Sequence, residues 1–209
     1  MKVLDIILIL IGIKIIDSVN KDKKKELMTG GGMLNIYDEP LQQCGSSQMT
    51  NGSWDSEGKC SEIGGGVHQI CIKNISKNTP RFSLKTGQSS WSDNRGNDNH
   101  CVCLGAWALY NAKNKNLSNE NILKCDAIPN VSLSKDYVRK FDRNSQGWDK
   151  WNNLETNNQV IDGVEALVKN CYNFRNPQVK DNNLKKNFCN MAKDVTELKN
   201  TNTYRRLKC

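Results

Sequence analysis

Nine cysteines in 209 residues constrain this chain more than any other feature of its sequence. They fall at Cys44, Cys60, Cys71, Cys101, Cys103, Cys125, Cys171, Cys189 and Cys209. The odd count leaves at least one thiol unpaired within a monomer, which weakens a reading as a complete disulfide framework. A chain of this length can also bury a sizeable core without covalent staples. No C-x-x-C occurs, so neither a zinc knuckle nor a thioredoxin-type redox motif is present. The densest stretch is "HCVCLGAWALY", residues 100–110. It reads as a short strand running into a helix, with "AWALYNAK" at helical spacing and Trp107 on the apolar face.

Other standard sites are absent. "TGGGM" lacks the Lys-Ser/Thr of a phosphate loop, "IGGGVH" lacks dinucleotide-binding spacing, and the H-x-E…P-C-x-x-C deaminase pattern is missing. With only His68 and His100, a catalytic triad has few possible bases. The formal charge is +8, divided as +2 over residues 1–32, zero over 33–113 and +6 over 114–209. The cysteine-rich part is therefore neutral, and the C-terminal lysines are scattered among asparagines. That pattern is a solvated surface and gives no specific nucleic-acid signal.

The chain opens "MKVLDIILILIGIKIIDSVNKDKKKE". Its apolar run, with Lys14 placed to snorkel, predicts an N-terminal membrane anchor helix over residues 1–20, and no small-x-small cleavage site follows. The lysines at 21 and 23–25 favour the following domain on the cytoplasmic or virion-interior side, where thiols would stay reduced or bind metal. Four N-x-Ser sequons, at Asn51, Asn74, Asn116 and Asn130, carry little weight in a chain with 28 asparagines. Residues 21–32 form a Lys/Gly-rich linker ending in a "TGGG" hinge. Beyond it, "VHQICIKN" at 67–74 alternates like a strand, and 85–99 reads as a long polar loop. Apolar faces over 160–171 and 184–198 predict two amphipathic helices.

The order of motifs resembles domain-of-unknown-function family 2237, small proteins best known from bacteria. "NIYDEPLQQC" (Asn35–Cys44) is similar to the family's N-V-L-G-x-P-L-x-x-C, and "TNGSWDSEGKC" (Thr50–Cys60) to its T-G-F-x-R-D-G-x-C. "GVHQIC" carries Gly66, His68 and Cys71 of G-x-H-T-V-C, and "GNDNHCVCLGAW" carries Cys101, Cys103 and Trp107 of G-D-x-W-C-L-C-x-x-R-W. His100 stands where the family usually has tryptophan, and Ala106 where it has arginine. The Asn/Lys richness and the N-terminal anchor are similar to versions encoded by large DNA viruses. The family has no known function, so the resemblance implies a fold and a motif but no reaction.

On these grounds we expect an α+β domain over residues 33–140, with a small, mostly antiparallel sheet and flanking helices, and a helical C-terminal extension over 141–209. The candidate site is His68, Cys71, Cys101 and Cys103. Two thiols one residue apart on a strand share a face, and three thiolates with an imidazole suit zinc in a Cys₃His set. A cysteine nucleophile with His68 as base is an alternative, as is a disulfide role. Free cysteine is also among the most buried residue types, and core packing of 101–104 is the favoured reading, so zinc is possible without being favoured. The expected function is a membrane-anchored, non-enzymatic structural or accessory protein, viral in type. The alternative is a metal-binding or thiol-dependent enzyme using the His/Cys cluster. The membrane, through the N-terminal segment, is the one partner implied.

Overall fold

The computed structural model describes residues 33–45, 55–61, 68–114, 122–141 and 157–209, and Leu34–Cys209 form one compact unit. Two three-residue strands, β1 (Ile70–Ile72) and β2 (His100–Val102), pair antiparallel with Ile70 opposite Val102, Cys71 opposite Cys101 and Ile72 opposite His100. Both are buried along their whole length. Strands covered on both faces read as unbroken apolar runs, which is why "ICI" and "CV" alternate so weakly. The connection between them carries α1 (Ile75–Asn78), α2 (Phe82–Lys85) and a 3₁₀ turn (Ser90–Asn94) within what reads as a polar loop.

Directly after β2 the chain enters α3 (Leu104–Lys113). Its first seven residues, Leu104 to Tyr110, are all buried. A helix apolar all round belongs in the middle of a core, not on its surface. Then follow α4 (Lys135–Arg139), α5 (Asn157–Cys171), α6 (Val179–Asp194) and α7 (Asn202–Leu207). The chain is thus α+β, with helices around a small two-stranded antiparallel sheet.

The helices expected as a C-terminal extension pack into the same core. Helix α5 lies on α3 with Gly163 against Ala108, and the Trp107 indole donates to the Gly163 carbonyl at 3.0 Å. Tyr37, from the segment after the linker, donates to the Cys171 carbonyl at 2.7 Å. From α6, Asn183 donates to the Tyr37 carbonyl and Asn187 to the Asp38 carboxylate, both at 2.9 Å. A capping box starts α6: the Asp181 side chain receives the Gln178 N–H while the Gln178 side chain receives an N–H of the first turn. The apolar face predicted to 198 is real, but the helix stops at Asp194, and a 3₁₀ turn (Thr196–Asn200) brings Leu198 into the core. The expected N-terminal anchor and linker lie outside the described residues. Among the described residues no helix is long and apolar enough to cross a membrane.

Eight of the nine cysteines are paired: Cys44–Cys71, Cys60–Cys101, Cys125–Cys171 and Cys189–Cys209. The odd count is resolved by Cys103, which is free and buried. The bridges span 27, 41, 46 and 20 residues. In the chain-entropy model each such closure contributes about 3–4 kcal/mol by restricting the unfolded ensemble. Three of the bridges join segments far apart in sequence, so they fix the topology as well as the stability.

Candidate binding site

The strand β2 explains how the expected cluster is divided. Side chains alternate, so His100 and Val102 face one side of the ladder and Cys101 the other, beside Cys71. Cys71 and Cys101 are thus brought together as the sequence reading supposes, but each sulfur is bonded to a loop cysteine, Cys44 and Cys60 respectively. The expectation that Cys103 continues the same strand face is overturned. The strand ends at Val102, and Cys103 becomes the N-cap of α3, its sulfur accepting the Ala106 N–H at 3.3 Å. A sulfur that satisfies one of the orphan amides of a helix start cannot also extend a strand. His68 and Cys103 lie with His100 beside a cavity that Cys101 also borders and Cys71 does not.

Those residues line a cavity of about 230 Å³, together with Gln88, Trp91 and Arg95. The connection between the strands builds one wall. Trp91 sits in the 3₁₀ turn with its indole N–H donating to the Gln88 side chain at 2.9 Å. Its ring lies 4.5 Å from the His100 ring and edge-on to the buried Phe82 at 6.3 Å. The Arg95 guanidinium stands 5.6 Å from the same indole, within cation–π range. Gln88 is also held by donation to the Thr86 hydroxyl at 3.0 Å. Trp91 is half-buried and lines this cavity, whereas Trp107 is wholly core.

Burial sets the electrostatics. Burial, then the Arg95 and His68 charges, push the His100 imidazole down to about 3, and burial lowers His68 as well. Both rings are neutral at physiological pH, leaving Arg95 as the cation in the lining. Burial pushes the Cys103 thiol up to about 12, against the smaller lowering from the backbone N–H groups around it. A thiol acts as nucleophile or metal ligand only as thiolate, so this one is chemically quiet. A second, more open groove of about 400 Å³ lies between the 3₁₀ turn Asn130–Leu133, α4 and α6. It holds neither histidine nor aromatic ring, so the smaller cavity is the better candidate site.

Sequence reasoning missed Gln88 and Arg95, which lie in the stretch taken as a loop. A lone tryptophan in that stretch, two segments away from His68, was the available signal. No protein-family model matches the chain, and neither a curated protein nor a solved structure matches it. The resemblance to family 2237 therefore rests on the motifs quoted above.

Proposed function

We propose that the chain is a non-enzymatic accessory module, held at a membrane by its N-terminal segment, whose disulfide-bonded domain binds a small planar anion in the Trp91/His100 cavity. The cavity itself carries this reading: an indole and an imidazole in tilted contact beside one guanidinium suit a flat ligand with a carboxylate or similar end. Its volume lies below the usual range for drug-sized pockets, which limits the ligand to a single ring or its equivalent. The quiet thiol and the two weakly basic imidazoles support holding over reacting, since general-base catalysis works best with a pKa near the operating pH. Four disulfides support maturation of the domain in an oxidising compartment. On this reading the domain lies across the membrane from the side favoured by the Lys21–Lys25 charges.

The test is a titration of the full chain with a panel of single-ring aromatic carboxylates, followed by NMR of the Trp91 indole and the two imidazoles. Saturable shifts are expected for these groups, with affinity at least tenfold weaker in Arg95→Ala and Trp91→Ala. A panel that leaves all three groups unmoved, or binding indifferent to both substitutions, overturns the reading.

A further inference from the structure

The two disulfides on the far face of the ladder are not independent of each other. Cys71 and Cys101 are direct cross-strand partners, and the sulfurs of Cys44, Cys60 and Cys71 lie within 4.8 Å of one another. Cys101, bonded to Cys60, borders this group as a fourth sulfur without lying within 4.8 Å of all three. All four residues are essentially inaccessible.

We propose that this cluster is the oxidised form of a four-cysteine zinc site, with Cys44, Cys60, Cys71 and Cys101 as ligands. This inference does not rest on the cavity's ligand, although Cys101 borders both places. A tetrahedral Zn²⁺ site with Zn–S bonds of about 2.3 Å needs sulfurs about 3.8 Å apart. From the present positions each bonded pair opens by less than 2 Å, Cys44, Cys60 and Cys71 close on one another by up to about 1 Å, and Cys101 swings further to join them.

The backbone that would hold the cage does not depend on the S–S bonds. Cys44 and Gly45 both donate to the Gly58 carbonyl, at 2.8 and 3.1 Å, joining the two loops. Asp55 organises the Cys60 loop by accepting from the Glu57 and Lys59 N–H groups, each at 2.9 Å, and from the Ser61 hydroxyl. Asn99 ties β2 to the Cys44 carbonyl at 2.8 Å, and the strand ladder fixes Cys71 against Cys101. Against the sequence-derived set, Cys44 and Cys60 replace His68 and Cys103, which lie with the cavity.

The chemistry balances with a dithiol or phosphine reductant. Each S–S bond takes two electrons and two protons and becomes two thiols; a dithiol supplies both and becomes its own disulfide, whereas a phosphine supplies the electrons and water the protons and the oxygen of the phosphine oxide. Zn²⁺ then displaces four protons and forms four Zn–S bonds, which leaves a buried dianionic centre in place of four neutral thiols.

The experiment reduces the full chain anaerobically with a phosphine and adds Zn²⁺ or Co²⁺. Native mass spectrometry is expected to show one metal per folded chain, and the Co²⁺ form the visible bands of a tetrahedral tetrathiolate. X-ray absorption of the wild-type zinc form, which needs no variant, is expected to show four sulfurs and no lighter ligand. Cys44→Ala and Cys60→Ala weaken the metal at least tenfold, and the Cys189→Ala/Cys209→Ala pair leaves it unchanged. A reduced chain that takes up no stoichiometric metal, folded or unfolded, overturns the proposal. So does a mixed nitrogen–sulfur shell, or metal held as tightly without Cys44 or Cys60.

Discussion

Replacing Gly163 by alanine gives a result opposite in sign to the usual one. A glycine in the middle of a helix is about 0.5–1 kcal/mol worse than alanine, so the substitution in α5 normally stabilises. Here a Cβ at 163 meets the Ala108 Cβ at 2.7 Å and the Ala108 Cα at 2.9 Å. Carbon pairs are at ease at about 3.5–4.0 Å, so α3 and α5 must part by close to an ångström. Overpacking of that kind costs about 1–3 kcal/mol. Parting the helices also stretches the 3.0 Å bond from the Trp107 indole to the Gly163 carbonyl, a buried bond worth about 1 kcal/mol. The net expectation is a loss of about 1–3 kcal/mol, read as a lower guanidinium midpoint at unchanged m-value with the disulfides intact. For a domain of this size that is a fall of several degrees in Tm, at about 2–4 °C per kcal/mol. Adding Ala108→Gly removes the colliding Cβ but leaves the Cα at 2.9 Å, so the double variant loses less than the two single losses summed, by up to about 1 kcal/mol, without recovering the wild-type stability. A Gly163→Ala protein that is more stable than wild type, or strict additivity in the double, refutes the packing of α3 on α5.

Two more outcomes follow from buried groups. Tyr37→Phe removes the hydroxyl that donates to the Cys171 carbonyl at 2.7 Å, and is expected to cost about 1–2 kcal/mol in denaturant titration, with an unchanged midpoint speaking against the docking of residues 34–41 on α5. The unfolded chain protonates His100 below about pH 6.5, while the folded chain resists protonation down to about 3. The contribution is therefore complete above pH 6.5 and lost as pH falls toward 3, with His68 acting in the same direction. Guanidinium midpoints of wild type are expected to fall more steeply between pH 7 and 4 than those of His100→Asn, and parallel profiles contradict the burial of the ring.

Much of the helical structure was legible because it depends on local pattern. The apolar face from Val160 to Cys171 and the "AWALYNAK" run describe α5 and α3 closely, since each period marks one buried surface. Both strands were legible as short apolar runs, but the end of β2 was not. Whether Cys103 continues a strand or caps a helix is decided by one sulfur–amide hydrogen bond, and the residue pattern is compatible with either. The disulfide pairs were the least legible feature. Cys44 meets Cys71 and Cys60 meets Cys101 because two loops cross the same face of the sheet, which is a tertiary fact with no sequence period. An odd count argues against a complete framework, yet it is equally compatible with four bridges and one buried thiol. The cavity shared this difficulty. His68 and His100 were visible as the only two histidines, but Gln88, Trp91 and Arg95 reach them through a 3₁₀ turn whose sequence, "SWSDN", reads as solvent-exposed loop.

The division of the nine cysteines into eight bonded residues and one inert thiol underlies the fold, the cavity and the zinc proposal alike. The direct measurement is alkylation of the native, unreduced full chain followed by disulfide mapping of its peptides by mass spectrometry. The account predicts four linked pairs, Cys44–Cys71, Cys60–Cys101, Cys125–Cys171 and Cys189–Cys209, with Cys103 unmodified until the protein is denatured. Rapid native alkylation of Cys103, or a bridge joining Cys103 to any other cysteine, would contradict it.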